Sequence, residues 1–163
     1  MPAKHHGKPA SRPAKRLERL EAPPAERAAV AQTFFLDGPC PGENELLAAA
    51  RKAGWRRRGG ERIFVDPYNE MKKHWSEAVA VALWTAGTRA VDYPVHVHFR
   101  WIERNRRRDK DNVAGAKKLI IDGLRYAGIL ANDGWEHVVG FSDDFAVDKE
   151  RPGVEITLHP RRF

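Results

Sequence analysis

Two aspartates, Asp109 and Asp111, stand two residues apart in RNRRRDKDN. In an extended segment alternate residues point the same way, so both carboxylates can reach one cation. Asp122 follows Lys118 by four residues and shares its face of a helix, and Asp133 lies just beyond in ILANDGW. An antiparallel return after that helix would carry Asp133 back toward the Asp109 end. Carboxylates without accompanying cysteine suit a hard cation, magnesium or manganese, rather than zinc or copper. Arg104, Arg106, Arg107, Arg108 and Lys110 crowd the aspartate pair, and Lys117 follows on the helix. A site that would hold metal is thus set in a surface that would hold phosphate. Metal-assisted phosphodiester hydrolysis needs that combination: a metal to activate water and offset developing charge, and cations to hold the backbone. The same residues also fit a plainer role, in which Asp111 or Asn112 caps a helix and Asp109 pairs with arginines. The Lys118 and Asp122 pair would then be a solvated contact worth about 0.3 kcal/mol.

The elements that must position these residues are legible from periodicity. Tyr93, Val95, Val97, Phe99 and Trp101 alternate with His96, His98 and Arg100, which predicts a half-buried strand leading into the arginines. A helix is expected over 112–127, with Val113, Ala116, Ile120, Leu124 and Ala127 on one side and Gly128 as terminator. An earlier amphipathic helix runs from an Asn69 cap to Ala86, with Met71, Trp75, Val79 and Leu83 at i, i+4 spacing. TFFL from Thr33 and RIFV read as strands, ENELLAAARKAG as a short helix ending at Gly54, and WRRRGG as a cationic loop. Val139, Phe141, Phe145 and Val147, then Val154, Ile156 and Leu158, predict a terminal hairpin about the 148–153 turn. The sum is an α+β fold: a small mixed sheet packed with two main helices, in one domain over 32–163.

The chain has 163 residues, 42% hydrophobic and 31% charged, enough for one domain with a core of its own. Residues 1–31 carry seven Lys/Arg against three Glu and no aromatic, and read as a mobile basic arm. A formal net charge of +7 and a pI near 9.8 point to a polyanionic partner, nucleic acid before membrane. Apolar runs such as AVAVALW fall short of the roughly 18 residues a span needs, and the N-terminus has no signal-like apolar region. The single cysteine, Cys40, forms no internal disulfide and fits a reducing, cytoplasmic setting.

RRRDKDN, then Lys118 with Asp122 and Leu124 in KLIIDGL, then AGILAND ending at Asp133, resemble the core signature of the RusA family of Holliday junction resolvases. The match covers Arg106 to Asp133. Outside it the likeness is diffuse, with PGENEL standing for an early Pro-rich turn with asparagine and 68–73 for the start of the first helix. The resemblance implies a RusA-like fold and a homodimer that presents two active sites to a four-way DNA junction. It makes Asp109, Asp111 and Asp133 magnesium-binding catalytic carboxylates, Lys118 the catalytic lysine, and Asp122 a neighbouring acid. Manganese would substitute for magnesium. The implied reaction hydrolyses DNA phosphodiesters to a 5′-phosphate and a 3′-hydroxyl, in recombination or repair. Two departures stand out: the interval from Asn112 to Lys118 is about three residues longer than the family's, and Asn132 occupies the first place of its acidic pair. Those departures keep a second reading open, a degenerate module that binds branched DNA without cutting it. An aspartyl-nucleophile phosphatase would want the aspartates directly after a buried parallel strand, and the surrounding arginines argue against it.

Other residues have both a functional and a plain reading. Arg56, Arg57, Arg58 and Arg62 beside Trp55 form a cationic finger with an aromatic able to stack on an unpaired base. For Trp135, core packing is expected ahead of DNA contact. His96 and His98 would bind zinc only with a third ligand such as His137, and no carboxylate or cysteine at suitable spacing completes that site. Asp143 and Asp144 are expected to mark a bulge or exposed edge rather than a second metal site. Cys40, between prolines and far from any histidine in sequence, has little support as a nucleophile.

Overall fold

The computed structural model describes residues 30–161. The basic arm expected over 1–31 lies outside the described residues, apart from Val30 and Ala31. The elements run β1 (Gln32–Asp37), α1 (Glu43–Arg51), β2 (Gly54–Arg58), β3 (Glu61–Val65), α2 (Pro67–Thr85), β4 (Val95–Glu103), α3 (Lys110–Ala114), α4 (Lys117–Tyr126), β5 (Val138–Val147) and β6 (Gly153–Pro160). Four strands form a mixed sheet in the order β1-β6-β4-β5, and β2 with β3 forms a separate ribbon. The α+β class with a small mixed sheet is as the periodicity predicts. No helix among the described residues is long and apolar enough to cross a membrane.

The strand expected from Tyr93 is β4, and its alternation is borne out. Val95, Val97, Phe99 and Trp101 are buried against the helices, whereas His96, His98 and Arg100 lie on the other face. Val79 and Leu83 of α2 and Ile120 and Leu124 of α4 complete one continuous core with Phe34, Leu36, Val154, Ile156 and Leu158. The two main helices meet closely: a Cβ on Gly123 would stand 2.6 Å from the Val79 Cβ.

Four expectations need correction. The helix of 69–86 begins earlier, because Asp66 is the N-cap, accepting from the Asn69 amide at 3.1 Å, and Pro67 supplies the preset first turn. The helix of 112–127 is two helices broken at Gly115 and Ala116, where α1 comes so near that a Gly115 Cβ would meet the Glu43 Cβ at 2.7 Å. The cationic loop WRRRGG is strand β2 and a two-glycine turn: Gly59 and Gly60 have φ of 58° and 87°, the positive pair that matches the twist of a tight hairpin. Finally, β5 and β6 do not pair with each other. β6 is antiparallel to both β1 and β4, and β5 is parallel to β4 at the sheet edge. Burial explains the choice: Val154, Ile156 and Leu158 are buried and fit a central strand, while Val139, Phe141 and Val147 of β5 stay exposed at an edge.

Helix α1 lacks a capping side chain of its own, since its N-cap is Gly42. Asn112 from α3 supplies the acceptor instead, its Oδ1 taking the Asn44 amide at 2.9 Å. Gly42 is required there, because a Cβ would fall 2.6 Å from the same Oδ1. Asn112 thus caps α1 and not the helix it sits in, which ties PGENEL to the aspartate segment. Asn112→Ala is expected to lower stability by about 1 kcal/mol, the ordinary worth of a cap. It should appear as a lower urea midpoint with an unchanged slope.

Candidate active site

β4 delivers the chain to 104–109, and α3 opens with Asp109 at its N-cap. An aspartate there ordinarily accepts from the next turn's amides, but the Asp109 side chain makes no capping hydrogen bond. Asp111 Oδ1 accepts from the Asn112 amide at 2.8 Å. Neither carboxylate forms an ion pair among the described residues, although Arg104, Arg106, Arg107 and Lys110 surround them in sequence. The plainer role, with Asp109 paired to arginines, is therefore not what these side chains adopt. Lys110 instead lies over the Phe145 ring at 5.2 Å.

Arg108 behaves unlike its neighbours. Its Nε and Nη2 donate to both oxygens of Glu103, and Nη1 donates to the Cys40 carbonyl at 2.8 Å, with Glu45 at 3.7 Å. The Glu103 carboxylate raises its already high pKa further. Arg108 was expected on the phosphate-facing surface, yet its fork is committed to clamping the end of β4 against the 37–45 turn. It borders a cavity of about 460 Å³ whose rim carries Arg104 and Arg107. Cys40 is buried beneath that clamp, and burial pushes its thiol up to about 12, which removes it as a nucleophile.

The second half of the site is a concavity of about 240 Å³ lined by Lys117, Lys118, Ile121, Asp122, Asp133 and Phe141. Lys117 donates to Asp143 at 2.5 Å and lies 5.7 Å from the Phe99 and Phe141 rings. Lys118 is the more exposed lysine, 3.6 Å from Asp122, while Lys72 of α2 stands 3.1 Å from the same oxygen. That oxygen, Asp122 Oδ2, is buried and accepts no aligned hydrogen bond, so two ammonium groups balance it by charge alone. Asp133 pairs with Arg125 at 3.5 Å, and Asn132 Oδ1 accepts the Asp133 amide.

The structure therefore gathers Lys117, Lys118, Asp122 and Asp133, but not with Asp109 and Asp111. Among the described residues, no three His, Cys, Asp or Glu side chains form a group able to hold a metal ion. The reason lies in the topology: α4 runs back along the sheet before β5 starts beside Val95, so Asp133 is held near the end of α4. The break at Gly115 and Ala116 falls inside the lengthened interval before Lys118. β4 is buried with a parallel neighbour, as an aspartyl phosphatase would require, but residues 104–108 separate Asp109 from its end.

Periodicity missed the partner of Lys117. Asp143 shares a face of β5 with Phe141 and Phe145, and it accepts from the buried Trp101 indole at 2.8 Å as well as from Lys117. It is a half-buried anchor on an edge strand. Trp135, expected in the core, is 97% exposed two residues after Asp133, in a turn closed by the His137 and Val138 amides on the Gly134 carbonyl. Arg56, Arg57, Arg58 and Arg62 all lie on the β2 and β3 ribbon, apart from either cavity's lining.

The histidines gather differently from a zinc site with His137. His96 Nε2 and His98 Nδ1 both hydrogen-bond the Ser142 hydroxyl, at 2.9 and 2.8 Å, on the face of the sheet away from the helices. Burial lowers the His96 pKa, and the charges of Arg161, His159 and His98 add to it. A histidine depressed in the fold is protonated first in the unfolded chain, so stability is whole above the unfolded value near ~6.5 and declines as pH falls toward the folded value. The thermal midpoint should drop between about pH 7 and about pH 5, and by less in His96→Gln.

No family model matches the chain, and no curated protein matches it.

Proposed function

We propose that this protein is a magnesium-dependent, RusA-like endonuclease that cuts branched DNA, four-way junctions first. The observation that carries the reading is the state of Asp109 and Asp111: two exposed carboxylates without an ion pair among the described residues, in a segment of five cations. An exposed ion pair is worth only about 0–1 kcal/mol, so these carboxylates lose little by staying unpaired and are open to a cation. In kind they fit magnesium, a hard ion that takes one or two carboxylates and keeps several waters. Magnesium would supply Lewis acidity toward the scissile phosphate.

The chain's own groups do the rest. Arg104, Arg106, Arg107 and Lys110 hold the phosphates flanking the cut and position the backbone. Lys118, exposed at the start of α4 in the other half of the site and 3.6 Å from Asp122, would offset charge on the phosphate oxygens once the two halves close on the DNA. Asp133, the third carboxylate of the set, lies in the other half of the site ion-paired to Arg125, and recruiting it requires that pair to open and the two halves of the site to approach. A homodimer with one such site per protomer would suit the two-fold symmetry of a junction. This work belongs in the cytoplasm, with the DNA.

A second reading, a module that binds branched DNA without cleaving it, is favoured by one observation: Asp133 and the Asp109 pair do not converge in one chain. The deciding assay presents a labelled four-way junction and a linear duplex of the same sequence, with magnesium or with EDTA. Paired nicks on the junction alone, abolished by EDTA, support the endonuclease. Tight junction binding without nicks in magnesium or manganese supports the binding module.

A further inference from the structure

The β2 and β3 ribbon has two unlike faces. Register pairs Trp55 with Phe64 and Arg57 with Arg62, so these four side chains share one face, while Arg56, Ile63, Arg58 and Glu61 share the other. Ile63 and Val65 are partly covered, which turns the first face to solvent, where Trp55 and Phe64 are each 56% exposed. The rings meet edge to face, with centroids 5.4 Å apart at 73°, and the Arg62 guanidinium lies 4.8 Å from the Trp55 ring.

Two features of this face call for a ligand. Arg57 and Arg62 are directly opposed like charges, an arrangement that costs stability, and neither has an ion-pair partner among the described residues. An anion between them would relieve the repulsion. Beside them two aromatic rings stay in water that could have been buried. We propose that Trp55, Phe64, Arg57 and Arg62 form a platform for unpaired nucleotides of a nucleic-acid strand, the arginines taking phosphates and the rings stacking on bases. Bases in a duplex are already stacked and offer only their edges, which Trp55 and Phe64 cannot read. The arginines of the other face have different roles: Arg56 donates to the Trp55 and Lys52 carbonyls, and Arg58 lies opposite Glu61. The proposal rests on the reading of a nucleic-acid-binding protein but not on cleavage.

The test measures binding of the full chain to a labelled oligo(dT) of about 20 nucleotides, to a blunt duplex and to the four-way junction, in EDTA, across a salt series. Trp55→Val with Phe64→Val keeps β-forming side chains in the ribbon and removes both rings. That pair should weaken oligo(dT) binding by about tenfold or more and duplex binding by less than about twofold. Arg57→Gln with Arg62→Gln should lower the logarithmic salt slope on oligo(dT) by about 1.4, and Arg56→Gln with Arg58→Gln by clearly less. Circular dichroism and the thermal midpoint report that each variant is folded, and Trp55→Leu alone serves if the double variant is not. Unchanged oligo(dT) affinity in the folded aromatic variant overturns the proposal, as does an equal loss on duplex. Wild type that binds duplex and junction but not oligo(dT) overturns it while leaving the endonuclease reading intact. Wild type that binds none of the three overturns both.

Discussion

Asp111→Asn should abolish metal-dependent cleavage of a four-way junction, by at least about 100-fold, while junction affinity stays level or tightens. The substitution is chosen for what it leaves alone. An asparagine keeps an oxygen for the Asn112 amide that Asp111 Oδ1 now accepts at 2.8 Å, so the first turn of α3 is retained. It removes one negative charge from a surface that must meet DNA, which is why binding is not expected to weaken. What it takes away is an anionic oxygen for a hard cation. Single-turnover cleavage and binding in EDTA separate the two effects. Equal cleavage by mutant and wild type would remove Asp111 from the site and assign the cleavage to other residues; absence of cleavage by both would overturn the endonuclease reading.

Asp143→Ala has the largest expected effect on stability, a loss of about 3 kcal/mol in equilibrium urea unfolding. Trp101 is 1% exposed, and its indole N–H donates to Asp143. Without that carboxylate the donor is buried unsatisfied, worth about 1–3 kcal/mol. Lys117 loses its partner too, but both side chains are about a quarter exposed (26% and 25%), so water screens part of that cost. Asp143→Asn should recover roughly half the loss, since the amide oxygen still accepts from Trp101 while the charge is gone. A loss no larger than a surface substitution, ~0.5 kcal/mol, would show that the indole and the lysine find other partners.

The elements legible in the sequence are those whose partners are near or whose pattern repeats. β4 alternates over four buried positions, and Ile120 and Leu124 of α4 follow its N-cap Ala116 at i, i+4 spacing, so burial could be read directly. The two-glycine turn of the ribbon carried a hairpin signal, obscured by the run of arginines, whose solvated side chains say little about backbone. The order of β5 and β6 was not legible from adjacency, because nearness in sequence favours pairing and only the balance of buried residues reveals which strand is central. The site divides in the same way. The spacing of Asp109 and Asp111 is local and visible. The commitments of Arg108 to Glu103 and Cys40, of Asn112 to Asn44, and of Lys117 to Asp143 are made at a distance, and nothing in a list of charged residues marks which are already engaged.

The central place of β6 bears on how the protein is made. Thr33 and Thr157, which share a hydrogen bond across β1 and β6, are 124 residues apart, and β6 lies between β1 and β4 in the sheet. A chain emerging from the ribosome can fold its ribbon and form helical turns early. It cannot join β1 to β4 until β6 is out. Such distant pairing slows folding and leaves the buried faces of β1 and β4 unmatched in the interval, the period in which a nascent chain most needs protection from aggregation.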